Sequence, residues 1–430
     1  MKTTRRQFLA APLIVPASVM GRNPPSARMS IGFIGTGHHG SGNLGAFMRD
    51  RRVRVVAVCD VNRESPGYWN GMVRGWAPAK RLVDEFYGDN GCAVFTDYRE
   101  LLNRRDIDAV YISTPDHWHA LNAIHAARAG KHIFGQKPLS LTVRDGRRMS
   151  DAVQQAKVVW QTGSQQRSDP FMRRAVELVR NGVIGRVHTV RAGLPGGIPD
   201  FGRVADQTQS VPVPEGFDYD MWLGPAPAAP YCPARVGVNF RWVRDYSGGQ
   251  LTDWGAHHID IAQWGLGMER TGPVAIRNAR GVFAQHPVYN TATEFSFECE
   301  YANGIKLLVS SQERGGVTFE GDDGWIWTHR NRIEASRPEI LTTSLADTAF
   351  RLPFSHDHQK NFVDAVLNGV ETVAPIEQAH RSISIAHLGN IALELGRDLR
   401  WDPDRETVLN DAKANELLDR PYRKPWNPEG

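Results

Sequence analysis

Three side chains in this sequence are of the types and at the spacing that could move a proton during oxidation of an alcohol. Asp253 and His257 stand four residues apart in a predicted helix, so they share one helix face. A carboxylate beside an imidazole fixes its tautomer and raises its basicity, as a general base requires. Lys137 could stabilise a developing alkoxide or bind the hydroxyl group. We predict that these three residues are catalytic and that His257 or Lys137 takes the proton; a helix-surface pair and a solvated lysine are the structural alternatives.

A glycine-rich turn offers a site for the group that would accept the hydride. The apolar run 29–35 leads into a G-x-G-x-x-G pattern between a predicted strand and a predicted helix. The first glycine permits a tight turn, the second lets the backbone approach a diphosphate, and the third allows close helix–strand packing. The diphosphate would meet the amide groups at the start of the helix. The predicted dinucleotide-binding residues of this turn are Gly35, Thr36, Gly37, His39 and Gly40.

The next apolar run indicates which dinucleotide is expected. Residues 53–59 form a second predicted strand that ends at Asp60. A carboxylate at this place can bind both hydroxyls of the adenosine ribose and repels a 2′-phosphate. The sequence therefore predicts NAD as the cofactor, while Arg63 close by leaves NADP open.

Two further predicted strands, 108–113 and 132–134, end in polar segments. Apolar strands that alternate with helices are typical of a parallel sheet covered on both faces. Ligands of such sheets bind at the carboxyl ends of the strands. These segments add predicted cofactor-binding residues, namely Thr114, Asp116, His119, Gln136 and Lys137.

The second half of the chain has a different pattern. Strand-like segments cover 187–191, 274–280, 293–301 and 305–311. Residues 295–301 alternate strictly between apolar and polar, and Ala302-Asn303-Gly304 then predicts a hairpin turn. A mostly antiparallel sheet with one exposed face is expected. Helices predicted over 358–367 and 376–396 are expected to pack back on the first domain.

The predicted fold is α/β, with an N-terminal doubly wound parallel sheet of the Rossmann type and a C-terminal α/β domain whose open sheet is mostly antiparallel. The expected boundaries are a leader over 1–28, an NAD-binding domain over 29–150, a substrate and oligomerisation domain over 151–400, and a surface tail over 401–430.

The N-terminus resembles an export signal. Arg5 and Arg6 precede Phe8-Leu9 and a weakly apolar stretch over 11–20, the arrangement of a twin-arginine signal. A basic tail is the alternative. Export would place the protein in the periplasm or otherwise outside the cytoplasm. Because that route carries folded proteins and free NAD is scarce outside, the cofactor would have to stay bound through turnover.

The composition argues against several other classes of protein. Four of the 51 lysines and arginines, and none of the 47 acidic residues, lie in residues 1–26, so the rest of the chain is balanced in charge. A neutral body carries no electrostatic signature for nucleic acid or membrane. The four cysteines show no C-x-x-C pair, and the spacing of His117, His119, His257 and His258 is not that of a metal site. Some tryptophans could stack on sugar rings or pack in the core, namely Trp118, Trp242, Trp254 and Trp264.

These motifs together resemble the glucose–fructose oxidoreductase/inositol dehydrogenase/rhizopine-catabolism (Gfo/Idh/MocA) family, over nearly the whole chain after the leader. The resemblance rests on the glycine turn, Thr114-Pro115-Asp116 with His119, Lys137-Pro138, and the run from Gly248 to Asp260. It implies an NAD(P)-binding Rossmann domain, a second domain with a large open sheet, and frequent oligomers. By position, Lys137, Asp253 and His257 match the family's catalytic residues. Gln136 departs from the usual Glu-Lys-Pro, and the segments around Gly163 and Asp253 resemble an exported branch.

Three functions are consistent with the sequence. The first is an NAD(P)-dependent oxidoreductase that moves a hydride between a sugar or cyclitol hydroxyl and a tightly bound nicotinamide. The second is a glycoside-cleaving enzyme that uses NAD without net consumption, through a transient keto-sugar. The third is a non-catalytic sugar- or redox-sensing protein, which would not need the lysine, aspartate and histidine. A small sugar or cyclitol is the expected ligand, and a homo-oligomer the expected assembly.

Overall fold

The computed structural model describes residues 28–428 of the chain. The predicted twin-arginine segment lies outside these residues. The first domain contains a six-stranded sheet in the order β3-β2-β1-β4-β5-β6, and every neighbouring pair is parallel. This confirms the predicted Rossmann-type sheet. Its strands are β1 (Met29–Ile34), β2 (Val53–Cys59), β3 (Ala93–Phe95), β4 (Ala109–Ile112), β5 (His132–Gly135) and β6 (Trp160–Thr162).

Helices connect these strands and cover the sheet. They are α1 (His38–Arg49), α2 (Trp76–Tyr87), α3 (Tyr98–Leu102), α4 (Asp116–Arg128) and α5 (Val143–Ala156). Helix α1 begins at His38, inside the glycine turn. Gly40 allows this because a methyl group there would overlap the carbonyl oxygen of Gly35. The first turn of the helix is therefore held against the end of β1.

The second domain is built on a nine-stranded sheet in the order β13-β12-β11-β7-β10-β9-β8-β14-β15. Only β7 and β10 pair in parallel among its described neighbours, so the sheet is mixed and mostly antiparallel, as predicted. Its strands are β7 (Val187–Gly193), β8 (Ala275–Phe283), β9 (Ala292–Glu300), β10 (Lys306–Ser310), β11 (Gly316–Gly321), β12 (Gly324–His329), β13 (Arg332–Ala335), β14 (Leu399–Asp402) and β15 (Thr407–Val408). Its helices are α6 (Pro170–Arg180), α7 (Tyr219–Leu223), α8 (Gln250–Leu266), α9 (Pro338–Thr342), α10 (His358–Asn368), α11 (Ile376–Leu395) and α12 (Ala412–Glu416).

One face of the nine-stranded sheet is apolar and the other is charged. On β9, Phe295, Phe297 and Cys299 are buried, while the polar residues between them are partly exposed. The outer face carries ion pairs such as Lys306 Nζ to Glu298 Oε2 at 3.4 Å. The alternation of apolar and polar residues in the sequence therefore matches the buried and exposed faces of β9.

The two C-terminal helices join the domains, as expected. Phe362 of α10 lies edge-on to Phe47 and Phe134 of the first domain, with ring centroids 6.4 and 5.6 Å away. His358 Nε2 lies 2.7 Å from the carbonyl oxygen of Thr162 at the end of β6. Helix α11 packs along α8 and α5. The domain interface is therefore apolar and continuous with both cores.

The segment after Trp401 is not a surface tail. It contributes part of β14, all of β15 and helix α12, and its apolar side chains enter the core. Trp401, Val408 and Leu418 are all buried, because they cover the edge of β8 and the end of α11. The high proline and charge content of this segment concealed these anchors.

Cys59, Cys92, Cys232 and Cys299 are all buried free thiols. Over residues 28–428, none of the helices combines the length and apolar character needed to cross a bilayer.

A long connection, residues 194–249, runs from β7 to α8, and we call it the covering segment. It is mostly irregular and holds its own aromatic cluster, which includes Trp222, Trp242 and Tyr246. It hydrogen-bonds to the loop after β2: the Val238 amide donates to Gly67 O at 3.0 Å and the Asp218 amide to Val61 O at 2.9 Å. The second domain therefore covers the cofactor side of the first.

A buried ion pair joins α8 to the segment that precedes α6. Arg167 donates from Nε to Asp260 Oδ2 at 2.6 Å and from Nη2 to Asp260 Oδ1 at 2.7 Å. Ser382 Oγ of α11 donates to the same carboxylate at 2.8 Å. Arg167 is only 1% exposed, so this guanidinium depends on Asp260 for its neutralising charge.

We expect Asp260→Ala to lower the free energy of unfolding by about 3–5 kcal/mol, because it leaves the Arg167 charge buried and uncompensated. Urea unfolding measures the loss. Glu334→Ala is the matched control, because it breaks the exposed pair with Arg314 and should leave the unfolding midpoint unchanged. Equal shifts in the two variants would contradict this account of the buried pair.

Candidate active site

A cleft of about 960 Å³ lies at the carboxyl ends of the parallel strands, between the glycine turn and the covering segment. Both domains line it. The first domain contributes the glycine turn and the ends of β2, β4 and β5, and the covering segment contributes Met221, Trp222 and Arg241. This is where the topology of an open α/β sheet places a ligand.

The glycine turn is shaped for a backbone that approaches a diphosphate. Gly35 has φ +87°, and a methyl group there would meet the carbonyl oxygen of Ser113 at 2.6 Å. Helix α1 begins after Gly37 with no side-chain cap, so the first-turn amides have no side-chain partner among the described residues. Gly35, Gly37 and His39 line the cleft, whereas Thr36 is fully buried behind it. This arrangement fits the diphosphate of a dinucleotide.

Asp60 lies at the end of β2 and supports the turn. Its Oδ2 accepts from the Thr36 amide at 2.7 Å, and its Oδ1 accepts from the Asn62 amide at 3.0 Å. Burial raises the pKa of Asp60 from its ordinary value, although these amide bonds oppose the shift. Asp60 lines the cleft, where its oxygens could also accept from ribose hydroxyls. Arg63 is the residue that left NADP open in the sequence, and its guanidinium lies 6.0 Å from the Trp76 ring centroid.

The residues predicted after β4 and β5 divide into two groups. Thr114, Asp116 and Gln136 line the cleft, and Asp116 Oδ2 accepts from Ser247 Oγ of the covering segment at 2.5 Å. His119 supports the site from behind. Its two ring nitrogens lie 2.7 Å from Pro138 O and 2.9 Å from Thr114 O, so it holds the ends of β4 and β5 together.

The lysine and the aspartate predicted as catalytic meet across the domain interface. Lys137 Nζ donates to Asp253 Oδ1 at 2.6 Å and to the carbonyl oxygen of Asp253 at 3.2 Å. Arg241 Nε lies 3.5 Å from the same carboxylate oxygen. Burial alone would raise the pKa of Asp253, but the charges of Lys137 and Arg241 outweigh burial and hold it below its ordinary value.

His257 lies close to this pair but has a different hydrogen-bonding state from the predicted one. The sequence predicts that Asp253 fixes the His257 tautomer, whereas the carboxylate binds Lys137, and His257 Nδ1 is buried without a partner in the described chain. Burial, together with the charges of Lys137 and Arg330, lowers the pKa of His257 well below its ordinary value. His257 is therefore a neutral imidazole beside a charged pair, and the lysine takes the aspartate because a cation offers the stronger bond.

A second histidine of the site is also neutral. Burial and the charge of Lys137 lower the pKa of His39 to about 3. The other two histidines of the hypothetical metal set have backbone partners: His117 Nε2 lies 2.9 Å from Trp222 O, and His258 Nδ1 lies 2.7 Å from Gly193 O. Among residues 28–428, no group of three or more His, Cys, Asp or Glu side chains is arranged to hold a metal.

The sequence did not indicate the roles of Arg241 and Arg330, nor those of the aromatic residues that lie over the glycine turn. Arg241 lines the cleft beside Asp253, and Arg330 acts on the pKa of His257 from the turn between β12 and β13. Tyr68 and Trp69 lie over the glycine turn, with Trp69 stacked between His38 and Phe201. No local motif marks these residues; only the density of aromatic residues in 217–246 hints at a packed segment.

Both domains match one family. Residues 29–164 match the description "Oxidoreductase family, NAD-binding Rossmann fold", and residues 172–428 match "Oxidoreductase family, C-terminal alpha/beta domain". The chain belongs to the Gfo/Idh/MocA oxidoreductase family. Its first domain is thus an NAD-binding Rossmann domain, which confirms the predicted cofactor class.

Named relatives add to this picture. The uncharacterized oxidoreductase YrbE of Bacillus subtilis is 27% identical over 377 residues, which cover 86% of this chain and 92% of YrbE. The alpha-N-acetylgalactosaminidase of Shewanella oneidensis is 38% identical over 129 residues, but these cover only 30% of this chain and 27% of that protein.

Among solved structures, the WlbA dehydrogenase of Bordetella pertussis, in complex with NADH and UDP-GlcNAcA, has a TM-score of 0.61. It is 17% identical, and the match covers 87% of this chain and 99% of that one. At this identity the likeness shows the shared fold.

We expect Asp60→Asn to weaken NAD binding by on the order of 10-fold, because charge-assisted bonds to the ribose are lost. The amide oxygen can still accept from the Thr36 amide, whereas the bond from the Asn62 amide is lost. Binding of NADP should weaken less, since a repelling charge is removed. Titration of both nucleotides into nucleotide-free protein measures the ratio. Asp106→Asn, at an exposed pair of the same domain, is the control; an unchanged NAD/NADP ratio in Asp60→Asn would contradict the assignment.

In the folded protein, we expect the His257 ring to show no titration between pH 8 and pH 6.5, the ordinary pKa of a histidine. Because the folded pKa lies below the unfolded one, neutral His257 stabilises the fold above pH 6.5, and this contribution is lost as pH falls. Nitrogen-15 NMR of labelled histidine measures the ring state. Arg330→Gln should raise the pKa of His257 by removing one cation, and a wild-type midpoint at or above 6.5 would show the description to be wrong.

Proposed function

We propose that this protein oxidises a secondary hydroxyl of a sugar or cyclitol with an NAD that stays bound between turnovers. The observation that carries the proposal is the Lys137–Asp253 pair, with neutral His257 beside it, at the edge of the dinucleotide cleft. A protein that only binds sugar would have no use for a buried lysine and an unpartnered neutral imidazole at the same place.

The residues divide the work of proton transfer. When bound, the nicotinamide supplies a hydride acceptor or donor. The Lys137 ammonium, held by Asp253, binds the hydroxyl oxygen and stabilises the negative charge that develops on it. His257 has a lowered pKa and is a weak base, so it accepts the proton as the hydride leaves, when the hydroxyl is most acidic; its imidazole is neutral and its Nδ1 has no competing partner in the described chain. In the reverse direction, protonated His257 returns that proton.

The covering segment supports retention of the cofactor. Trp69 stacks on Phe201 of this segment with centroids 4.1 Å apart, and His38 of the glycine turn stacks on the other side at 5.6 Å. A methyl group at Gly37 would meet the Tyr68 ring. A dinucleotide seated in the turn would thus be enclosed by aromatic residues from both domains. Retention would suit the export that we propose from Arg5-Arg6.

A second candidate is redox-neutral cleavage of a glycoside. It is favoured by the partial similarity to the alpha-N-acetylgalactosaminidase, which covers 30% of this chain. The same lysine and histidine would serve, because transient oxidation of a ring hydroxyl is common to both reactions. The difference lies in the fate of the keto-sugar and of the hydride.

The test begins with mass spectrometry of the nucleotide released from denatured protein. The intact holoenzyme is then mixed with pyranosides and inositols, and NADH absorbance is recorded. We expect Lys137→Ala and His257→Ala to reduce turnover by about 10²–10⁴-fold. Lys306→Ala, on the charged outer face of the second sheet, is the control and should keep full activity.

The outcome distinguishes the two candidates. NADH that accumulates on the enzyme supports the oxidoreductase. Aglycone release from nitrophenyl glycosides without accumulated NADH supports glycoside cleavage instead. Full turnover in both the Lys137 and the His257 variants, with cofactor content preserved, would refute the assigned residues.

A further inference from the structure

Arg330 is a partly buried cation whose charge no protein group neutralises by contact. It lies in the turn between β12 and β13, and its Nε is buried with no hydrogen-bond partner in residues 28–428. None of the ion pairs found in that range includes it. Its neighbours differ: Arg332 Nη2 lies 3.2 Å from Glu334, and Arg314 Nη2 lies 2.7 Å from the same glutamate. A partly buried guanidinium that forms no ion pair is available to bind an anion of a ligand.

The turn holds Arg330 in a fixed place. Asn331 has φ +56°, and its amide donates to Asp169 Oδ2 at 2.9 Å. The other oxygen of Asp169 accepts from the amides of Phe171 and Met172 at the start of α6. Asp169 is thus engaged by three backbone amides and anchors the turn; its charge acts on Arg330, but the two side chains form no ion pair among the described residues.

The guanidinium faces the catalytic helix. Its central carbon lies 4.9 Å from the centroid of the Trp254 ring. In helix α8, Trp254 follows Asp253 directly and precedes His257 by three residues. The charge of Arg330 contributes to the lowered pKa of His257. Of the tryptophans considered for sugar stacking, Trp254 is only partly buried, whereas Trp118, Trp242 and Trp264 are buried in the core. Arg330 and Trp254 therefore form one surface on the substrate side.

Charged side chains of both signs surround the site. Lys137 and Arg241 both contact the carboxylate of Asp253. The charges of Asp253 and Asp169 also act on Arg330, but neither carboxylate forms an ion pair with it among the described residues. Arg330 does not line the cleft that holds the glycine turn, so the diphosphate of the dinucleotide is not its counterion. A guanidinium without an ion pair favours a substrate that carries a negative charge.

We propose that Arg330 binds a carboxylate of the substrate, so that the enzyme acts on a sugar acid, such as a uronate or its glycoside, rather than on a neutral sugar. This inference rests on the proposed function, because it identifies the substrate class of the same site. A single planar guanidinium matches a carboxylate through two parallel hydrogen bonds. The Trp254 ring supports the guanidinium from one face.

The experiment measures binding to the intact holoenzyme by calorimetry, using matched pairs of methyl glycosides. Each pair consists of a uronate and its neutral hexoside, in the gluco, galacto and manno series. We expect at least one uronate to bind about 10-fold or more tightly than its neutral partner, as charge-assisted hydrogen bonds allow. Arg330→Gln should bring that ratio close to one while neutral-sugar binding is kept, and Arg330→Lys should keep part of it.

The matched control is Arg332→Gln, two residues away in the same hairpin, which should leave the ratio unchanged. Cofactor content and melting temperature verify that each variant is folded. A wild-type ratio near one in all three series, an Arg330→Gln variant that keeps the preference, or a hexose phosphate that binds more tightly than the uronate would each overturn the proposal.

The design separates this inference from the proposed function. NADH formed from neutral sugars with no preference for uronates would retain the oxidoreductase and remove the role of Arg330. A uronate that binds through Arg330 without NADH formation or glycoside cleavage would retain the carboxylate site and remove the catalytic assignment.

Discussion

The ion pair between Lys137 and Asp253 links the two domains and the chemistry in one interaction. Lys137 follows β5 of the first domain, Asp253 lies in the first turn of α8 in the other, and both side chains are largely removed from water. Placing either charge there alone would cost several kcal/mol, because desolvation is not repaid without a partner. The catalytic pair therefore exists only when the domains are docked, and the loss of the Asp253 carboxylate would leave the Lys137 charge buried without its partner. Assembly of the site and closure of the interface are one event.

Burial is the main cause of the neutral state of His257. It lowers the pKa of the ring, and the charges of Lys137 and Arg330 lower it further. The carboxylate of Asp253 opposes this shift only in part, because it binds Lys137 and Arg241. The site thus places a lysine and a neutral imidazole side by side, so that a hydrogen-bond donor and a proton acceptor lie within one small region.

Regular periodicity and motif chemistry made much of this structure predictable. Strand β2, the alternating faces of β9 and the glycine turn follow from short-range patterns, as do helices α10 and α11. The partner of Asp253 did not follow, because helical spacing reveals the neighbour four residues away but not a lysine 116 positions earlier in the chain. Arg330 and the covering segment also escaped, since their roles arise from packing between distant segments. Trp401 and Leu418 escaped because isolated apolar anchors carry no period.

The covering segment bears on how the cofactor would be reset. Backbone hydrogen bonds join it to the loop after β2, and the His38–Trp69–Phe201 stack closes the same side of the cleft. Exchange of a seated dinucleotide would require these contacts to separate, which slows release without affecting proton transfer at Lys137 and His257. A cofactor that leaves slowly suits a cycle that returns the hydride before the cofactor departs, to a second sugar or to the oxidised product itself. Both proposed reactions, oxidation with a retained NAD and redox-neutral glycoside cleavage, require slow release of the cofactor. The enclosure of the cleft therefore favours these two reactions over a dehydrogenase that exchanges its NAD at every turnover.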